Sequence, residues 1–163
     1  MQTIMLAKGS ATSAQNETGE RFTMLVKNVD GSGSITTGMG VALTILPASI
    51  DGQAVVKGTL TSMSAGTSGS VWLGIANQDI PINSWGMATV WGVANSVMIS
   101  QVTTSLTVTK GDMLIPSSVT GAFFSGTVTN QALSTQLFHY MYALSSITAS
   151  TTSWVSAFIK GSL

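Results

Sequence analysis

Polar and apolar residues alternate along this chain in short stretches, with a period of two rather than 3.6. In MATVWGV, Met87, Thr89, Trp91 and Val93 fall on one side, with Ala88, Val90 and Gly92 on the other. In SLTVT, Leu106 and Val108 alternate with Ser105, Thr107 and Thr109. Such patterns suit a pleated, partly buried surface, and abundant Thr and Val favour it. The spacing predicts strands over 22–28, 39–46, 53–60, 70–76, 86–93, 96–101, 105–109, 112–116, 121–128, 137–144 and 153–160. The segment QALSTQLFHYMYALSSI also fits a helical stripe through Leu133, Leu137, Tyr140, Met141 and Leu144. The alternation of Phe138, Tyr140 and Tyr142, followed by a Ser/Thr-rich turn and WVSAFIKG, favours strand.

Turn signals punctuate these runs. Asp30-Gly31 and Asp51-Gly52 are hairpin candidates, because glycine supplies the positive φ that tight hairpins need. Lys110-Gly111-Asp112 and Thr120-Gly121 read as further reversals, and GSGSITTGMG (31–40) reads as a hairpin rather than a phosphate loop. Four of the six acidic residues, Glu20, Asp30, Asp51 and Asp112, adjoin a glycine, which assigns them to turns rather than to catalysis. The stretch TSMSAGTSG (61–69) is a loop, and residues 8–19 are small, polar and aperiodic. The expectation is an all-β protein: one antiparallel β-sandwich or β-barrel-like domain over 21–163, preceded by an extended N-terminal arm over 1–20.

One phrase nearly repeats. VWLGIAN (71–77) is echoed by VWGVANS (90–96), with DIPINSWG between them. A repeated unit, an aromatic ligand cradle and plain packing all begin from this observation. A tryptophan buries up to about 250 Å² and so anchors a core or an interface. The pattern fits two strands joined through DIPINSWG, with Trp72 and Trp91 anchoring apolar layers and Trp85, in the turn-like INSWG, facing outward.

Charge changes the picture more than length does. Of 163 residues only 7% are Asp, Glu, Lys or Arg, against about 25% in ordinary domains, and six cations balance six anions. Polarity comes instead from 23 Ser and 22 Thr. Near-zero net charge favours association, so a surface of this kind suits a chain that works inside an assembly. Lys8, Arg21, Lys27, Lys57, Lys110 and Lys160 are scattered. Making about 6–10 phosphate contacts would need all of them on one face, which argues against nucleic acid as a partner. The longest apolar run, MGVALTILPA, is half a membrane span and contains Pro47, so no membrane partner is expected, and the N-terminus lacks a basic, apolar leader pattern.

Candidate chemistry is sparse. The chain has no cysteine and one histidine, His139, between Phe138 and Tyr140. A His/Cys metal site therefore fails by counting, no DxDxDG run offers a calcium loop, and no GxSxG elbow accompanies the histidine. The reading is of a non-enzyme without cofactor or metal.

The order of elements resembles a family type. The run GERFTMLVKNVDGSGSITTGMGVALT, then SIDGQAVVKG, VWLGIANQDIPINSWGMATVWGVAN, TVTKGDMLI and ALSSITASTTSWVSAFIKG, looks like the cadence of small tailed-phage head decoration (capsid cement) proteins. The resemblance covers about residues 20–160. It implies a virion protein on the head surface, commonly a homotrimer, whose partner is the major capsid protein and whose N-terminal arm helps hold capsomers together. Interface candidates are Lys8, Arg21, Trp72, Trp85 and Trp91. The alternative is a tail, spike or fibre module binding a receptor or glycan.

Overall fold

The structure, a computed structural model, describes residues 21–44, 53–58, 70–100, 106–125, 139–149 and 151–161. The expected arm (1–20), Asp51-Gly52, the loop 61–69 and Lys8 lie outside the described residues. Among those described there is no helix, and the protein is all-β. The strands are β1 (Phe22–Asn28), β2 (Gly40–Thr44), β3 (Ala54–Lys57), β4 (Ser70–Ala76), β5 (Trp85–Ile99), β6 (Leu106–Val108), β7 (Leu114–Pro116), β8 (Phe123–Ser125), β9 (His139–Ala143), β10 (Ile147–Ala149) and β11 (Ser153–Gly161).

Five strands close into a barrel in the order β1-β3-β2-β4-β5, with β5 returning to β1. Closure removes the unpaired edges that would otherwise invite pairing with another chain. All its pairings are antiparallel except β1 with β3, where Lys27 aligns with Ala54. Val26, Ile35, Val41, Val55, Ala76, Ile80 and Ala88 fill its core.

β5 does not stop at this barrel. Its C-terminal half pairs antiparallel with β11, from Gly92↔Ile159 to Ile99↔Ser153, and meets β8 in a parallel pairing at Ile99↔Phe123. With β9 beside β11 and β7 beside β8, a second curled sheet runs β9-β11-β5-β8-β7. Its ends meet at the Met113↔Tyr142 bridge and at hydrogen bonds from Gly111 N–H to Ala143 C=O (2.8 Å) and Ala143 N–H to Asp112 C=O (2.9 Å). A second core of Ile75, Ala94, Val97, Ile99, Met141, Val155, Ala157 and Ile159, among others, lies inside. The two-stranded ribbon β10-β6 adds Leu106 and Val108 to it. One 15-residue strand is thus common to two apolar cores.

Several expectations change. The strands expected at 86–93 and 96–101 are one strand: Asn95 points to solvent while Ala94 and Val97 on either side are buried, so the polar dip is an outward position and not a turn. The alternation expected through MATVWGV breaks, because Thr23 faces Thr89 whereas Phe22 faces Trp91, leaving Val90 as an extra residue. This bulge, with Gly92 at φ 92, moves Trp91 to the face of Ala88, while Thr89 stays on that of Met87 and is buried because Ile75, its neighbour on β4, belongs to the second core. There its hydroxyl donates to Asn77 Oδ1 at 2.7 Å, which satisfies it. GSGSITTGMG is not a hairpin: β1 and β2 are separated by β3, and the segment between them crosses the barrel end through the Ile35↔Ile80 bridge. Positive φ falls at Gly33 and Gly38 there, not at Gly31. Gly111 and Gly121 do take positive φ, at 95° and 75°, in the reversals expected of them. The domain is not wholly antiparallel, given β1–β3 and β5–β8.

Glycines also fix the junction of the two halves. Gly40 N–H donates to Gly121 C=O (2.8 Å), Gly121 N–H to Gly58 C=O (2.6 Å) and Gly58 N–H to Gly40 C=O (2.8 Å), a closed cycle of backbone bonds. A Cβ on Gly40 would stand 2.7 Å from the Phe123 ring, which there packs edge-on against Trp72 with centroids 6.0 Å apart.

Candidate functional site

β1 and β5 place a run of apolar side chains on the outside of the molecule. Register sets Lys27 opposite Trp85, Leu25 opposite Met87 and Phe22 opposite Trp91. Val26 and Ala88, on the other face, are fully buried in the first core. Strand alternation therefore sends Leu25, Lys27, Trp85 and Met87 outward. Leu25 and Trp85 are each 46% exposed, unusual for such large apolar groups. Lys27 Nζ lies 6.0 Å from the centroid of the Trp85 ring, a cation–π contact worth about 0.5–1 kcal/mol at an exposed site.

The opposite face of these strands carries an aromatic cluster where β5 passes between the two cores: Phe22 alternates in step with Met24 and Val26, and the extra residue Val90 brings Trp91 round to the face of Ala88. Trp91 contacts Phe22 at 5.3 Å between centroids and Phe158 at 5.8 Å, the latter edge-on at 71°. None of these three rings belongs to either core, although Ala157 and Ile159, flanking Phe158, do. Phe158 pairs across the sheet with Val93 and, on the other side, with Tyr142 (36% exposed). The ladder thus bridges β1, β5 and β11 on the side of the sheet away from the second core. Such aromatic pairs add about 0.5–1.5 kcal/mol each beyond area burial.

The described carboxylates belong to turns. Burial alone would raise the pKa of Asp30. It is outweighed by hydrogen bonds from the Ser32 hydroxyl and from the Lys57 and Ser32 amides, together with the Lys57 charge, so its pKa lies below the ordinary value. Asp79 is lowered by the amide and then the hydroxyl of Thr37 (2.7 and 2.8 Å). Asp112 is lowered by the Thr109 amide (2.8 Å) and the Ser125 hydroxyl (2.7 Å). Asp30 ties its turn to β3, Asp79 joins two loops, and Asp112 ties its turn to β8, the turn role the adjoining glycines suggested for Asp30 and Asp112. Among the described residues no three His, Cys, Asp or Glu residues gather as a metal site would require, and no helix is long and apolar enough to cross a membrane. His139 begins β9.

The interface candidates separate. Trp72 is buried in the second core against Phe123. Trp85 lies on the outer face with Leu25 and Met87, Trp91 lies on the other face with Phe22 and Phe158, and exposed Arg21 directly precedes Phe22. Cross-strand register, which the sequence alone does not display, brings Leu25 and Met87 beside Trp85, and Phe22 and Phe158 beside Trp91. Trp154, 49% exposed, stands apart beside Gly38, where an added Cβ would lie 3.0 Å from its Cδ1. Compared with known proteins, the chain matches no family model and no curated sequence.

Proposed function

We propose that this chain is a non-enzymatic virion protein of the head-decoration kind, which binds the outside of an icosahedral phage shell and stabilises it. One observation carries the reading: the outer face of β1 and β5 presents half-exposed Leu25 and Trp85 with Met87 beside them, on a chain with only 7% charged residues. A free protein gains nothing from such a face, whereas an assembly subunit buries it. A barrel and a curled sheet sharing one strand supply the stiff support that a clamp between capsomers needs, and their Ser/Thr-rich surroundings hydrogen-bond at low desolvation cost. The cadence of the sequence adds the phage head as the assembly.

The test is co-sedimentation of the purified chain with empty heads from the phage that encodes it, with occupancy read by electron cryomicroscopy. Saturable binding to the outer surface, lost when residues 1–20 are deleted while the β-domain still folds, is the expected result. A chain that ignores heads overturns the reading. If it instead binds a glycan array through Trp85, the protein belongs to a tail or spike.

A further inference from the structure

We infer that the solvent side of β11, from Trp154 to Lys160, is a binding strip for an extended polysaccharide of β-linked, equatorially substituted sugars. This goes beyond the shell-binding reading and does not depend on it, because Leu25, Trp85 and Met87 lie on the other side of the sheet. Alternation builds the strip. Val155, Ala157 and Ile159 are buried in the second core, so Trp154, Ser156, Phe158 and Lys160 point the other way. Trp154 is 49% exposed, Phe158 is part-exposed and Lys160 is exposed. Four residues along a strand set the two rings about 13 Å apart, the span of a short oligosaccharide. Trp154 rests against Gly38, where Ser96 also arrives: an added Cβ would stand 3.0 Å from the indole Cδ1 and 3.2 Å from Ser96 Oγ. Phe158 is propped edge-on by Trp91 and flanked across the strands by exposed Tyr142.

The chemistry between the rings selects the ligand. The bulge in β5 sets Asn95 and Ser96 opposite Ser156, so amide and hydroxyl groups separate the two aromatic stations. A protein partner would need continuous contact of roughly 800 Å², which a row of single rings broken by polar groups does not offer. A nucleic acid would bring a phosphate for every base, and Lys160 is the one cation on the strip. A sugar chain matches unit by unit. Its C–H faces carry slight positive charge and stack on the negative faces of the rings, while its hydroxyls meet the serines and Asn95. At the Trp154 end, Thr37 adjoins Gly38 and is held by the Asp79 carboxylate, a further acceptor for sugar hydroxyls. At the other end the Lys160 ammonium is placed to pair with an acidic sugar.

The test titrates the full chain by isothermal calorimetry with cellohexaose, chitohexaose and a hyaluronan hexasaccharide, the last of which carries uronate charges. The expected result is saturable binding of at least one of them. Trp154→Ala, at an exposed position, and Phe158→Leu, which keeps apolar packing but removes the ring, should each weaken it about tenfold or more, equivalent to about 1.4 kcal/mol. Both variants should keep the β-type circular dichroism of the wild type. Lys160→Gln should weaken binding of the uronate chain more than that of the two neutral ones. Binding of none of the three sugars, or equal binding by wild type and the folded Trp154→Ala variant, overturns the inference. A chain that decorates phage heads but binds no sugar removes this inference alone; one that binds sugar through Trp154 but ignores heads removes the shell reading alone.

Discussion

Asn28 shows how a single buried polar residue organises one end of the first barrel. Its side-chain amide donates to Ile80 C=O (2.8 Å) and Gly33 C=O (3.2 Å), and its Oδ1 accepts the Asp30 amide (2.8 Å). Its backbone meanwhile exchanges with Ser84 and Asn83. Asn28→Ala strands these partners in a fully buried setting and should cost about 2–3 kcal/mol, read as a lower urea midpoint at unchanged slope. Gly74 acts by absence: a Cβ there would fall on the Thr89 carbonyl oxygen, where β4 crosses β5. Gly74→Ala must push the strands apart and should lose at least about 3 kcal/mol, or some 6–12 °C in melting temperature for a chain of this size. The two Val-Trp phrases diverge at the same scale. Leu73 is an extra residue in β4, since Ala42 faces Trp72 and Val41 faces Gly74, and Val90 is an extra residue in β5. Each bulge resets the alternation, so Trp72 falls in step with Ile75 toward the second core, while Trp91 turns away from the face of Met87 and joins Phe22 and Phe158.

At the level of elements, loops and strands were legible to different degrees. The bounds of β1 and β4 could be read directly, because alternation and flanking turn residues agree there. β10 escaped notice, since ITA in a Ser/Thr-rich stretch gains its strand character only by pairing with distant β6. The unity of β5 was hidden by Ala94-Asn95-Ser96, whose polarity imitates a turn. Of the outer face, Trp85 could be picked out from its turn-like context, but Leu25 and Met87 could not. Their outward direction depends on a register between strands about 60 residues apart, and local pattern carries no record of it. The loop carboxylates carry a prediction of their own. Asp30, Asp79 and Asp112 have folded pKa values below the unfolded value of about 3.9, so the stability they contribute is full well above that value. It declines as pH falls through about 4 toward the folded pKa values. Urea midpoints should hold steady from neutrality to about pH 5 and then drop. The triple variant with Asn at these positions should show a lower midpoint at neutrality and a flatter acid limb. An unchanged acid limb would rule the three carboxylates out as its cause.

Taken whole, the molecule is two cores on one splint. Trp72 and Ile75 reach from β4 into the second core while Ala76, next in sequence, serves the first, so neither half can loosen privately. Unfolding should therefore be one calorimetric transition. Ile80→Ala, made in the first core alone, should cost about 2–5 kcal/mol. It should move that single peak down by roughly 5–15 °C. Two separated peaks, with only one displaced, would show that the two halves melt independently.

The shared strand also sets an order of events during synthesis. All five strands of the first ring are present once residue 99 has been made, whereas the second ring needs β11, which ends at Gly161. The first barrel can thus close early, with the outer half of β5 projecting from it and its backbone groups unsatisfied. Until the last sixty or so residues arrive, the nascent chain holds out an open template for any strand nearby. The step that completes the second sheet, β11 docking along β5, is also the step that withdraws that template, and slow growth of the segment that carries β11 would be felt as misassembly rather than as a missing part.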